Sequence, residues 1–284
     1  GRNMNQKNER ESVLYVTDLD GTLLNSQSRI SEYSLNTINR LLEQGMKFTY
    51  ATARSLVSAS SVTEGLHIST PVIVYNGAYI MCADTGKILY SQTFQEEERR
   101  KVREVLKKWN ISPFIYSFVN GEERVLYRPD FLNEGKERYL TVRRGDRRFR
   151  TVEGEEALFQ GEMFYFTCIG EKEELEPVYQ EFQKDSRFRC TLQQELYRPE
   201  YWCEIMPAKA TKAQAILALK SMWNCEKIIS FGDAVNDLPM FDISDACYAV
   251  ANAVKSVQER ATAVILENDK DGVARWLEEH ALAE

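Results

Sequence analysis

The stretch Val13-Leu14-Tyr15-Val16-Thr17-Asp18-Leu19-Asp20-Gly21-Thr22-Leu23-Leu24 restricts the possible folds more than any other part of the chain. Its apolar, β-branched run reads as a short buried strand, and it ends in two carboxylates one residue apart with a glycine behind them. Side chains of an extended segment alternate. Asp18 and Asp20 are therefore expected on the same side at the carboxyl end of the strand, where open α/β sheets place their ligands. Like charges at that spacing raise each other's pKa unless a positive group sits between them. Asp-Gly is also a hairpin signal, so taken alone the stretch reads equally well as a turn between antiparallel strands.

The flanking pattern favours a parallel sheet. Ser31 is a cap for a predicted helix with Leu35, Ile38, Leu41 and Leu42 at helical spacing and Gly45 as its stop. A second strand, 46–51, delivers Thr52-Ala53-Arg54; a helix over 55–64 and a strand over 71–75 lead to Asn76-Gly77-Ala78. Such a β-α-β-α-β run implies parallel strands with right-handed crossovers. From about Ala83 the texture changes to short strands and amphipathic helices over 95–109 and 172–184, with an irregular basic stretch between them. Within it, 143–150 is expected to be a solvated loop rather than a nucleic-acid site. At Thr211 the first pattern resumes: Thr211 caps a helix that carries Lys212 in its first turn, and a strand over 227–231 ends in Gly232-Asp233-Ala234-Val235-Asn236-Asp237. The expected fold is α/β, a Rossmann-like doubly wound parallel-sheet core made of 11–82 and 204–284, with an α+β domain inserted over 83–203. Residues 1–10 read as a disordered lead-in.

Composition removes several function classes. A net charge of −7 over 284 residues argues against nucleic acid or an anionic membrane as a partner, since both require a basic surface. Six cysteines without a Cys-x-x-Cys pair suggest free thiols in a reducing cytoplasm, and no apolar run approaches the ~20 residues of a membrane span. Only two histidines are present, His67 and His280, and neither neighbours a partner acid or nucleophile, which leaves little room for histidine-based or zinc chemistry.

What remains is a set of polar clusters that each follow a predicted strand: Asp18 and Asp20, Thr52 and Arg54, Asn76, and Asp233, Asn236 and Asp237. In a parallel sheet these ends share one edge, so residues distant in sequence converge. Up to four carboxylates gathered beside Thr52, Asn236 and Lys212 repel one another unless a divalent cation joins them, and an oxygen-only donor set points to Mg²⁺. Carboxylate-held Mg²⁺, a hydroxyl, a lysine and backbone amides form a cradle for a phosphoryl group. One aspartate would attack phosphorus in line to form an aspartyl-phosphate, while a second serves as general acid and then base.

The four segments Asp18-Leu19-Asp20-Gly21-Thr22-Leu23-Leu24, Ala51-Thr52-Ala53-Arg54, Lys212 and Gly232-Asp233-Ala234-Val235-Asn236-Asp237 resemble, in order, the motifs of the haloacid dehalogenase-like phosphatases. Within these the chain is most similar to the Cof-type sugar-phosphatases, which carry a large α+β cap between the second and third motifs. Asn76-Gly77-Ala78, Glu204-Ile205-Met206-Pro207, Asn252-Ala253 and Asn268-Asp269-Lys270-Asp271-Gly272-Val273 agree with that group. The resemblance implies Asp18 as nucleophile and metal ligand, and Asp20 as general acid/base that ligates Mg²⁺ through its main-chain carbonyl. It implies Thr52, Asn236 and the amides near Leu19 and Ala53 on the phosphate, Lys212 on phosphate and nucleophile, Asp233 on the metal, and Asp237 behind it.

Three departures accompany it: Ala53 where glycine is usual, Ala234 where serine is common, and Lys209 where glycine often precedes the motif lysine. The resulting expectation is a Mg²⁺-dependent, cytoplasmic phosphatase of small phosphorylated metabolites, with sugar phosphates as the leading class. Alternatives are a phosphomutase resembling phosphomannomutases and a non-catalytic phosphometabolite-binding protein.

Overall fold

The computed structural model describes residues 12–282, so the lead-in expected at 1–10 lies outside the described residues. The chain divides into two compact units, one running up to Ser91 and resuming at Thr211, the other Gln92–Ala210.

The discontinuous unit begins with strands β1 (Val13–Thr17), β2 (Lys47–Tyr50), β3 (Val72–Val74), β4 (Tyr79–Met81) and β5 (Ile88–Ser91). The inserted unit contributes β6 (Phe114–Val119), β7 (Glu122–Tyr127), β8 (Phe149–Thr151), β9 (Glu162–Gly170), β10 (Phe188–Gln194) and β11 (Tyr201–Pro207). The first unit then closes with β12 (Lys227–Gly232), β13 (Ala246–Val250) and β14 (Ala263–Ile265).

Its main sheet is parallel throughout, in the order β14-β13-β12-β1-β2. This excludes the hairpin at Asp20-Gly21, because β1 has parallel neighbours on both sides and the next strand follows a helix. β1 is central, with Val13 opposite Lys227 and Thr17 opposite both Phe231 and Tyr50. Leu14, Tyr15 and Val16 are all buried, which is why the strand reads as a continuous apolar run rather than an alternating one. Tyr15, Phe231 and Tyr248 meet Trp276 of the helix Gly272–His280, which packs on the helix Glu32–Glu43. Ser31 caps that helix by accepting from the Ser34 amide.

The inserted unit has a six-stranded sheet, β10-β11-β9-β6-β7-β8, antiparallel except for the β7–β8 pair. Helices Glu96–Lys108 and Lys172–Gln183 bury Val102, Leu106, Leu175, Val178 and Phe182 against Phe166, Cys203 and Ile205 of the sheet.

Two expectations need correction. The inserted unit starts later than residue 83 and ends later than 203, because β4 and β5 pair in sequence with β3 and belong to the first unit, while β11 runs to Pro207. The basic stretch is also not irregular. It holds the helix Glu134–Val142 and β8, and Arg143 lays its guanidinium 3.5 Å over the Tyr139 ring while Arg148 pairs with Asp146 at 2.7 Å. Cationic side chains there cover aromatic surface, so their charge conceals a packing role from a pattern read on charge alone.

Among the described residues no helix is long and apolar enough to cross a membrane. All six cysteines are free thiols. His280 stacks on Trp276, and the backbone amide of exposed His67 donates to Asn39.

Candidate active site

Asp18 is the first residue past β1, where its backbone amide still donates to Phe231 O of β12 at 3.1 Å. The chain then leaves the extended form. Asp18 Oδ1 accepts from the Leu19 amide at 2.9 Å, and residues 19–23 coil into one wide turn broken at Asp20 and Gly21. The side chain is buried, and burial pushes its carboxyl up to about 8 against the pull of Lys212, with Asp237 and Asp233 adding to the rise. Lys212 Nζ stands 3.2 Å from Asp18 Oδ1 and 3.5 Å from Asp237 Oδ1. Burial opposes the ammonium charge, but these two carboxylates outweigh it and hold Lys212 above its ordinary value.

The position of Lys212 is set by backbone packing. Thr211 caps the helix Lys212–Met222 by accepting from the Gln214 amide, which makes Lys212 its first residue. Against this cap lies Gly77, whose φ is +103° and at which a Cβ would stand 2.1 Å from the Thr211 carbonyl. Only glycine lets the turn after β3 approach the cap so closely. The same turn is stitched to the end of β2, with the Asn76 amide donating to Thr52 O at 2.8 Å and the Tyr75 amide to Arg54 O at 2.9 Å.

Asp233 follows β12, and its Oδ1 accepts from Thr22 Oγ1 at 2.8 Å. Burial raises its carboxyl, and the Thr22 hydroxyl opposes the rise. Asp237 is fully buried and faces inward: its Oδ2 accepts from the amides of Asp233 at 2.9 Å and Ala234 at 3.1 Å. It thereby fixes the loop that presents Asp233. Gly21 makes the opposing wall, and its carbonyl accepts from Asn252 Nδ2 at 2.9 Å. Asn252 in turn accepts from the Asn268 amide, and Asn268 donates to Leu24 O, so the aspartate loop is held from the far end of the chain.

Asp20 does not share the environment of Asp18. The strand ends at Thr17, so its alternation does not extend to Asp20, though Asp20 still feels the Lys212 charge. Asp20 is exposed, and Arg54 grips it in a two-point bridge, Nε to Oδ2 at 2.8 Å and Nη2 to Oδ1 at 2.7 Å. That hydrogen bonding holds the Asp20 carboxyl below the usual range. Thr52 is buried and its hydroxyl accepts from the Arg54 amide at 3.1 Å. Ala53 and Asn236 are exposed. Ala53 is not among the positive-φ residues, so alanine there meets no backbone strain. Lys209 is exposed and belongs to the inserted unit; the lysine that meets Asp18 is Lys212.

Thus the structure brings Asp18, Lys212, Asp233 and Asp237 into direct mutual reach and ties Asp20 to the Thr52–Arg54 turn. Thr22, Arg54, Gly77, Asn252 and Asn268 support the site without having been assigned site roles from sequence. Their signal was adjacency, since each lies in or beside one of the recognised motifs or landmark segments.

The donor set suits a hard divalent cation. Asp18, Asp233 and Asp237 offer carboxylate oxygens all within 4.8 Å of one another, against a single contacting ammonium, with no sulfur or imidazole donor in the group. Three carboxylates so close, two of them pushed upward by burial, have a surplus negative charge that such an ion neutralises.

Comparison with known proteins agrees with this geometry. A family model for haloacid dehalogenase-like hydrolases matches residues 15–277. The chain is 26% identical over 275 residues to the 5-amino-6-(5-phospho-D-ribitylamino)uracil phosphatase YitU of Bacillus subtilis, covering 96% of this chain and 98% of that protein. It is 28% identical over 291 residues to the phosphatase YwtE of the same organism, named for the same substrate, covering 92% of this chain and 96% of that one. Among solved structures, TM0651 from Thermotoga maritima aligns with a TM-score of 0.77 at 27% identity, over 96% of this chain and 99% of that chain.

Proposed function

We propose, from the premise that this chain belongs to the haloacid dehalogenase-like hydrolase family, that it is a Mg²⁺-dependent phosphatase of small phosphorylated metabolites, with sugar phosphates and phosphorylated sugar alcohols as the substrate class. The observation that carries this reading is the Asp18 carboxylate, buried at the end of β1 and bridged by Lys212 at 3.2 Å, with the Asp233 carboxylate beside it. The free thiols suit a reducing cytoplasm. The names of two Bacillus relatives add a phosphorylated ribityl chain to the candidates.

In this reading an Asp18 oxygen attacks phosphorus, and the bond to the ester oxygen breaks. Asp20, which is ionised while Arg54 holds it, takes up a proton once substrate draws it from that bridge and delivers this proton to the leaving oxygen. Water then attacks the aspartyl-phosphate, Asp20 takes the water proton, and phosphate leaves with Asp18 restored. Lys212 and the amides of Leu19 and Ala53 accept the phosphate charge, while Thr52 and Asn236 orient it. Asp18, Asp233 and the Asp20 carbonyl would hold Mg²⁺, whose charge, when bound, offsets that of the transferring phosphoryl group. Arg54 keeps the Asp20 carboxyl at a fixed orientation until substrate arrives. Choice of leaving group we assign to the inserted unit, on the strength of the family resemblance.

The test is phosphate release from a panel of hexose, pentose, polyol, nucleotide and cofactor phosphates, with Mg²⁺ and with chelator, beside Asp18→Asn. Turnover that requires metal and disappears in Asp18→Asn is the expected result. Retained turnover in Asp18→Asn overturns the nucleophile assignment. Exchange of phosphate between substrate positions without release replaces the hydrolase reading with a mutase.

A further inference from the structure

A cavity of about 120 Å³ lies within the inserted unit, bounded by the helix Glu96–Lys108, the turn that follows it, Arg128 on the exit of β7, and the short helix Glu155–Leu158. Two residues that line it have buried polar atoms with no hydrogen-bond partner, Ser112 Oγ and Arg128 Nε. Leaving such a group unpaired is costly, so two on one cavity mark a place where partners are missing from the chain itself. Arg128 is otherwise fixed in place. Its Nη2 pairs with Asp130 at 2.9 Å and its guanidinium lies 4.7 Å over the Phe131 ring, while its Nε is buried without a partner.

The charge and the walls limit what fits. Arg103, Lys107 and Arg128 line the cavity against one carboxylate, Glu155, and that carboxylate is already bridged by Arg103 at 3.3 Å. The surplus is positive. Apart from Asn110 and Ser112 the remaining wall is apolar, with Leu106, Ile111 and Leu158 all buried. We propose that this cavity is a binding site for a small organic carboxylate, its two oxygens taking the Ser112 hydroxyl and the Arg128 Nε–H, and its short hydrocarbon body lying on Leu106, Ile111 and Leu158.

A free phosphate fits less well, because it has no hydrocarbon body to lie on Leu106, Ile111 and Leu158. The volume matches a ligand of roughly five to seven heavy atoms, by comparison with the ~150 Å³ engineered cavity that holds benzene. No residue of this site takes part in the proposed hydrolysis, so the inference stands or falls separately from that reading.

Butyrate titrated into the whole chain, followed through the methyl resonances of Leu106, Ile111 and Leu158, tests it. Saturable shifts at these methyls are expected, equal in Asp18→Asn, with inorganic phosphate producing none. Ser112→Ala and Arg128→Gln are each expected to weaken butyrate about tenfold, the loss of one charge-assisted or buried hydrogen bond. Melting curves of both variants without ligand identify any that fail to fold, and Ser112→Ala, which removes one oxygen, keeps the test available. Methyls that butyrate leaves unmoved overturn the proposal in favour of a cavity holding only water. Affinity that is unchanged in a folded Ser112→Ala overturns it too, and shifts from phosphate but not butyrate overturn the assignment of a carboxylate.

Discussion

Gly21 has φ +77°, and a Cβ there would stand 2.2 Å from Asp233 Oδ2. Gly21→Ala therefore strains the backbone and displaces the aspartate at once. The expected outcome is a loss of phosphatase turnover of at least about 100-fold with a stability cost on the order of 1–3 kcal/mol, read from steady-state kinetics and urea unfolding. Glu204 in the inserted unit supplies a pH effect. Burial pushes its carboxyl up to about 7 from 4.5, against the pull of Arg143. A raised carboxyl is neutral in the folded state where the unfolded chain is ionised, so the folding penalty is absent below pH 4.5, grows as pH rises, and is complete above about 7. In urea unfolding Glu204→Gln should match wild type near pH 4 and exceed it in unfolding free energy at pH 8 by on the order of 1–3 kcal/mol. The meeting of Asp18 and Asp233 was legible from sequence because strand ends of a parallel sheet share an edge, and that of Lys212, 194 positions from Asp18, from the order of the motifs. The Arg54–Asp20 bridge was not, since nothing in either local pattern says which loops of two adjacent strands will touch.

At the level of elements, strand and helix positions followed from periodicity and caps, with Ser31, Ser55 and Thr211 each accepting from the amide three residues on. The helix Glu134–Val142 escaped because its apolar face is thin and its neighbours are arginines, whose stems and ring stacking do the packing that leucines do elsewhere. The element that most controls the site is the turn after β3. Because Gly77 meets the Thr211 carbonyl, Gly77→Ala should push the helix Lys212–Met222 outward and take Lys212 away from Asp18. A fall in kcat of at least about tenfold is expected, with a lower melting temperature worth about 2 kcal/mol or more. Thr211→Ala, which removes one cap bond but leaves the spacing intact, should cost about 1 kcal/mol and little turnover.

The whole molecule is two units with separate cores, and scanning calorimetry should resolve two transitions. Adding Mg²⁺ is expected to raise the one belonging to the unit that contains Asp18 and Asp233, and chelator to return it, while the inserted unit melts unchanged. The two-unit plan was readable in sequence from the change of texture and its return, but its seams were not, because β4 and β5 resemble the strands that follow while pairing with the strand before. The central place of β1 has a further effect during synthesis. Its neighbour β12 is specified more than 200 residues later, so a nascent chain that has completed the inserted unit still presents β1 with one unpaired edge. Gln92–Ala210 can collect its contacts as it emerges, whereas β1, which carries Asp18 past its end, waits for β12. The interval between the two events sets how long that edge is open to wrong pairing.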